Sequence, residues 1–108
     1  MQPVSGLLVI VSEAGGERFA AAVELAAASA ALDRPVAMLL RGPAVQALGQ
    51  PHGAPAFDLL FELGVELGIC QTAMAAHGLA ASDLPPGIEA HGMVAFLSGR
   101  GDWQLALV

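Results

Sequence analysis

Two short apolar runs, with a segment of helical length between them, constrain this sequence more than any other feature. Residues 6–12 (GLLVIVS) and 36–40 (VAMLL) carry no charge. Such runs are typical of strands in a parallel sheet whose two faces are both covered. Residues 17–32 are rich in alanine and place larger apolar residues at helical spacing. The order strand, helix, strand predicts a βαβ unit and therefore a parallel sheet.

The remainder of the sequence continues this alternation. Residues 91–98 suit either a buried strand or a short helix, and the spacing of Met93, Phe96 and Leu97 favours the helix. We predict further helical stretches at 44–48, 56–63 and 71–77, and further strands at 65–69 and 103–108. The sequence thus predicts one α/β domain over residues 1–108. We expect a three-layer sandwich with a mostly parallel sheet of about four or five strands and helices on both faces.

Composition narrows the classes of partner. Of 108 residues, 56% are hydrophobic and 13% charged, and the net charge is −6. A chain this apolar is not disordered, and its acidic balance has the wrong sign for neutralising phosphates, so we expect no nucleic acid partner. No run reaches the roughly 20 apolar residues of a membrane span, and the first residues lack a basic signal-peptide segment. We therefore expect a cytoplasmic protein with no membrane partner, and, because so much apolar area needs burial, a homo-oligomer.

Cys70 is the single cysteine, which excludes an intramolecular disulfide. Three scattered histidines and one thiol do not make a zinc-ligand pattern, so we expect no metal site. Cys70 lies between the strand predicted at 65–69 and the helix at 71–77, a position where reactive groups gather in parallel sheets. Backbone N–H groups at a helix start stabilise a thiolate, which is the nucleophilic form. The alternative, a buried and unreactive core cysteine, stays open because free cysteines are often buried.

A second candidate site is a ligand pocket at the strand ends. Gly15 and Gly16 follow the first strand and could bind a phosphate through their backbone, although no dinucleotide or P-loop pattern is present and the chain has no lysine. His52 lies in a loop predicted at 49–55. We predict a candidate pocket formed by Gly15, Gly16, His52, Thr72 and His77. His77 is about 10 Å along the helix from Cys70, too far for direct contact.

The region that follows Cys70 resembles the cysteine region of DsrE/DsrF-like proteins. The resemblance rests on residues 70–79 (CQTAMAAHGL), 82–89 (SDLPPGIE) and Gly92, and, in the N-terminal half, on a helix starting near residues 18–19 and a strand leading into 42–45 (GPAV). It implies a compact α/β fold with a parallel sheet, assembly into oligomers, and sulfur handling. In that family the cysteine accepts sulfane sulfur as a persulfide and passes it to a partner protein, and the matching position here is Cys70.

Two functional hypotheses follow. In the first, the protein is a persulfide sulfur carrier or transferase that needs no cofactor, takes sulfur from a donor protein onto Cys70 and passes it to an acceptor protein. In the second, it is a non-catalytic oligomeric binding or scaffold module with a structural cysteine. The pocket near Gly15 and His52, for a small ligand or nucleotide, is a third and weaker candidate.

Overall fold

A five-stranded parallel sheet forms the centre of the protein, as a computed structural model describes it for residues 5–108. The strands are β1 (Leu7–Val11), β2 (Val36–Leu40), β3 (Glu66–Cys70), β4 (Ile88–His91) and β5 (Gln104–Leu107). The helices are α1 (Gly16–Ala31), α2 (Gly53–Glu62), α3 (Gln71–Ala76) and α4 (Met93–Leu97), with 3-10 helices at Gly42–Gly49 and Ala81–Asp83. The spatial order is β4-β3-β2-β1-β5, and every pair of neighbours is parallel. The predicted α/β class is therefore confirmed.

The order of the strands determines which face of the sheet each helix covers. From β1 to β4 each strand is added on the same side of the previous one, and right-handed crossovers then place α1, α2 and α3 on one face. The connection from β4 to β5 crosses back over the sheet, so α4 covers the other face. Helices lie on both faces as predicted, but the two layers differ greatly in size.

The larger core lies under α1 and α2. Val9, Met38 and Leu67 point into it from neighbouring strands. Phe19 and Ala22 of α1 pack against them, and both are buried. Alanine on the inner side of α1 allows the helix to approach the sheet closely, which explains why an alanine-rich segment is suited to this position.

The smaller core lies under α4 and the loop that follows it. Leu8, Ile10 and Leu39 point toward this face and are covered by Phe96, with Trp103 packed beside them. The α4 layer has only five helical residues. Because this layer is thin, apolar side chains of α4 and β5 stay exposed on the α4 face.

Most predicted elements are confirmed, with three differences in detail. The sequence predicts no strand between residues 77 and 91, but Ile88–His91 forms the edge strand β4, so His91 is a strand residue and α4 starts only at Met93. Cys70 is the last residue of β3 instead of the residue after it. Helix α2 begins at Gly53, inside the loop predicted at 49–55. The N-terminal segment used in the signal-peptide argument lies largely outside the described residues. No helix within residues 5–108 is long and apolar enough to cross a membrane.

Candidate functional site

Cys70 lies at the junction between β3 and α3. Its backbone is extended, with φ −70° and ψ 122°, and it is the N-cap residue of α3. The thiol is free, and the side chain is part-buried and packs against the larger core. Cys70 is therefore neither fully exposed nor sealed within the protein, and limited access of a small reactant is compatible with this burial.

Register places three polar residues in line with Cys70 across the carboxyl ends of the strands. Cys70 pairs directly with His91 of β4. Ile69 pairs with Leu40, so Arg41 is next in line to Cys70, and Leu40 pairs with Val11, so Ser12 is next in line to Arg41. We call Ser12, Arg41, Cys70 and His91 the carboxyl-end row. Neighbouring strands lie about 4.8 Å apart, so each backbone in this row is close to the next.

Arg41 and Ser12 are bonded to each other. The backbone N–H of Arg41 donates to the carbonyl of Val11 at 3.0 Å, which continues the ladder between β1 and β2 by one residue. Its guanidinium donates from Nη1 to the hydroxyl oxygen of Ser12 at 2.9 Å. Both side chains are at the surface, so this pair presents a positive charge and a hydroxyl beside the strand that carries Cys70.

His91 occupies the other side of Cys70. Its ring lies 5.4 Å from that of Phe96, and its Nε2 is 3.7 Å from a carboxylate oxygen of Glu89. These contacts place the His91 ring on the α4 face of the sheet, where it lies with Phe96 over Gly68 of β3. The sequence alone does not connect His91 with Cys70, because nothing in the order of residues shows that β4 pairs with β3.

The start of α3 gives Cys70 less electrostatic support than the sequence-based argument expects. The helix has six residues, its first turn carries no charged side chain, and no side chain caps it. A helix dipole grows with the number of aligned peptide units, so a helix this short contributes a weak field. Positive charge for an anionic sulfur must therefore come chiefly from other elements, and Arg41 is in line with Cys70.

The residues of the predicted pocket fall into two separate groups. His52 lies against Gly15: its Nε2 is 2.7 Å from the carbonyl oxygen of Ala14, and its ring packs edge-on against Phe19 at 5.2 Å. Gly16 and His52 line an open groove of about 440 Å³ together with Phe19, Ala20, Val23, Glu24 and Ala56. Thr72 and His77 lie on or just after α3 and do not line that groove. Within residues 5–108 no group of three or more His, Cys, Asp or Glu could hold a metal ion.

Comparisons with known proteins identify the fold. No protein-family model matches the sequence, and no curated protein matches it. Several solved structures match. One is the ychN protein from E. coli, at 18% identity and a TM-score of 0.80, covering 97% of this chain and 100% of that one. Another is BT1422 from Bacteroides thetaiotaomicron, described as a conserved protein of unknown function, at 16% identity and a TM-score of 0.75, covering 94% of each chain. The chain has the fold of these two proteins. The likeness covers nearly the whole chain, so it includes the strand ends where the carboxyl-end row lies.

Proposed function

We propose that this protein handles sulfur: it carries sulfane sulfur as a persulfide on Cys70 and passes it to a partner protein, acting as a cytoplasmic homo-oligomer. The observation that carries the proposal is the position of Cys70, part-buried at the carboxyl end of β3 and flanked in register by Arg41 and His91. The resemblance of residues 70–79 to the cysteine region of DsrE/DsrF-like proteins supports the same chemistry.

The proposed reaction needs two thiol exchanges and no cofactor. The Cys70 thiolate attacks the terminal sulfur of a donor persulfide, a new S–S bond forms, the donor's S–S bond breaks, and the donor leaves as a thiolate. A thiolate of the acceptor then attacks the terminal sulfur on Cys70, and Cys70 leaves as the thiolate. No oxidant or reductant enters, because one sulfur atom moves between thiolates and the number of S–S bonds stays constant.

Sulfur loading tests this proposal directly. After incubation with inorganic polysulfide and removal of the excess, intact-mass spectrometry of the folded protein should show one added sulfur, mapped to Cys70 by peptide analysis. Cys70→Ser should gain none under the same conditions, and a reductant should remove the added sulfur from the wild type. A folded wild-type protein that gains no sulfur, or that gains it equally in Cys70→Ser, would contradict the carrier function.

The packing of Cys70 supports a second candidate function. Because its side chain contacts the larger core, Cys70 also fits a structural role in a non-catalytic oligomeric binding or scaffold module. Alkylation of the native protein by iodoacetamide near neutral pH separates the two functions. A scaffold cysteine should react only as fast as the protein unfolds, whereas a carrier cysteine should react in the native state.

A further inference from the structure

We propose that the edge strand β5 pairs antiparallel with β5 of a second copy of this chain, about a two-fold axis at Ala106, so that the two five-stranded sheets join into one continuous sheet. This inference rests on the homo-oligomer of the proposed function and specifies the surface through which two copies meet. Its basis is the backbone of β5, the contrast between the two edges of the sheet, and the side chains that β5 exposes.

The backbone groups of alternate β5 residues point away from the sheet. The N–H of Gln104 donates to the carbonyl of Gly6 at 2.8 Å, and the N–H of Val108 donates to β1 at 2.9 Å. Residues two apart in a strand face the same neighbour, so the backbone groups of Leu105 and Leu107 face the opposite side. No strand lies on that side within residues 5–108. Each copy therefore presents two N–H donors and two carbonyl acceptors along this edge.

The two edges of the sheet are unequally protected against pairing. Edge strand β4 follows Pro85 and Pro86, and it carries His91 and Glu89, which is 81% exposed. Proline and charged side chains are devices by which natural edge strands avoid pairing with other chains. Strand β5 (QLAL) has neither, and it follows β1 in continuous register. The β5 edge is therefore the one suited to accept another strand.

Charge and side-chain pattern favour a second copy as the partner. The chain has a net charge of −6, so two copies repel each other unless they meet at an uncharged surface. Residues 103–108 (WQLALV) carry no charge. An exposed apolar surface is also what association of identical chains buries. Of the seven large apolar side chains exposed within residues 5–108, four belong to α4 or β5: Val94, Leu97, Leu105 and Leu107.

The available donors determine the register of the pairing. The N–H of Trp103 already donates to the carbonyl of Arg100 at 3.0 Å, so the edge donors that remain are those of Leu105 and Leu107. Both are satisfied when Leu105 lies opposite Leu107 of the partner subunit, because two such residues in an antiparallel ladder exchange two hydrogen bonds. The two-fold axis repeats this pair and places Ala106 of the two copies opposite each other. A contact of this symmetry is closed, so it leaves neither edge open.

The same register brings the exposed leucines together. Leu105 and Leu107 are 53% and 73% exposed on the α4 face, beside Leu8 and Ile10 of β1. A two-fold axis perpendicular to the sheet keeps the α4 faces of both copies on one side. Two leucines from each copy then form one apolar cluster across the junction, and their burial adds to the hydrogen bonds.

Cysteine crosslinking tests this register. In a Cys70→Ser background, Ala106→Cys should form a disulfide between two copies on mild oxidation, because directly opposed residues of this type lie about 4.5 Å apart at Cα. Gln104→Cys is the control, since the two copies of residue 104 would be about 14 Å apart. Gln104 is exposed and Ala106 half-buried, so random collision would favour the control. Equal crosslinking in non-reducing electrophoresis, or none in Ala106→Cys, would overturn the pairing.

The variants Leu107→Pro and Leu107→Ala test the backbone bonds. Both remove the leucine side chain, but only proline removes the outward N–H, and neither removes a hydrogen bond to β1. Each contact then loses two hydrogen bonds, so we expect Leu107→Pro to dissociate about thirtyfold more readily than Leu107→Ala in sedimentation equilibrium. Equal dissociation constants would argue against strand pairing. The Ala106→Cys measurement leaves Leu107 intact, so it decides the matter even if Leu107→Pro fails to fold.

Failure of this inference and failure of the proposed function give different results. An oligomeric wild type in which Ala106→Cys does not crosslink and the two Leu107 variants behave alike would overturn the β5 contact and leave the homo-oligomer standing. A monomeric wild type would contradict both. Cys70 ends β3, which β2 and β1 separate from β5, so polysulfide should load Leu107→Pro as it loads the wild type. Failure of loading in both proteins would contradict the carrier function alone.

Discussion

At the scale of single residues, Gly68 determines how closely the smaller core approaches the site. It lies two residues before Cys70 in a buried part of β3, and the ring of Phe96 packs over it. A Cβ added at Gly68 would lie 2.6 Å from Phe96 and 3.1 Å from His91. The absence of a side chain here therefore lets both rings pack closely against the strand that carries Cys70.

Gly68→Ala should consequently destabilise the protein. The added methyl group forces Phe96 and His91 to move within a packed core, and such overpacking lowers the free energy of unfolding by about 1–3 kcal/mol. Urea unfolding followed by fluorescence of Trp103, the only tryptophan, measures this change. Gly101→Ala is the control, since a Cβ there meets nothing within 4 Å, and it should stay within about 0.5 kcal/mol of the wild type. Equal stability of the two variants would contradict the close contact at Gly68.

At the scale of elements, Arg100 fastens the thin α4 layer to the sheet. Its guanidinium carbon lies 4.6 Å from the centre of the Phe96 ring and 5.2 Å from that of Trp103. The same group donates to the carbonyl of Phe96 and pairs with Glu66 at the start of β3. One side chain thus ties the end of α4, the following loop and a central strand together, where few other contacts hold this layer.

Arg100→Met should loosen this layer while keeping much of the apolar stem. The Arg100 side chain is only 17% exposed. Loss of two cation–π contacts and of an ion pair whose glutamate is 57% exposed should lower the free energy of unfolding by about 1–2 kcal/mol. Arg18→Met removes an ion pair whose arginine is 72% exposed, and should change stability by less than about 0.5 kcal/mol. Urea unfolding measures both variants. If Arg18→Met costs as much as Arg100→Met, burial and stacking are not the source of the effect.

How far the sequence predicts these elements depends on how each one is buried. Strands β1 and β2 are buried at every position, so their apolar runs identify them. Edge strand β4 buries only Ile88 fully, and its neighbours include Glu89 and His91, so hydrophobicity does not reveal it. Cys70 was predicted from its place between a strand and a helix. Arg41 and His91 join it only through strand register, which is a tertiary property that local patterns do not contain.

At the scale of the whole molecule, the unequal covering of the sheet bears on assembly. On the α4 face, β5 presents Leu105 and Leu107 beside Leu8 and Ile10, and these two leucines are 53% and 73% exposed. Val94 and Leu97 of α4 are exposed as well. Strand β5 is also an edge, so its outer backbone groups have no partner strand within the described part of the chain. An apolar patch next to an open edge is a surface that a second copy of the chain could cover.

The proposed homo-oligomer therefore predicts a specific response to polar substitution. The double variant Leu105→Gln and Leu107→Gln should shift the protein toward monomer in sedimentation equilibrium, because burying two amides in place of two leucines opposes association. The double variant Leu32→Gln and Leu59→Gln is matched in chemistry and removes exposed leucines from the α1 and α2 side, so it should leave the assembly unchanged. Equal dissociation in both variants would place the contact elsewhere, and a monomeric wild type at high concentration would contradict the assembly itself. Assembly through the α4 face would also bring a neighbouring subunit to the face on which the ring of His91, the strand partner of Cys70, lies.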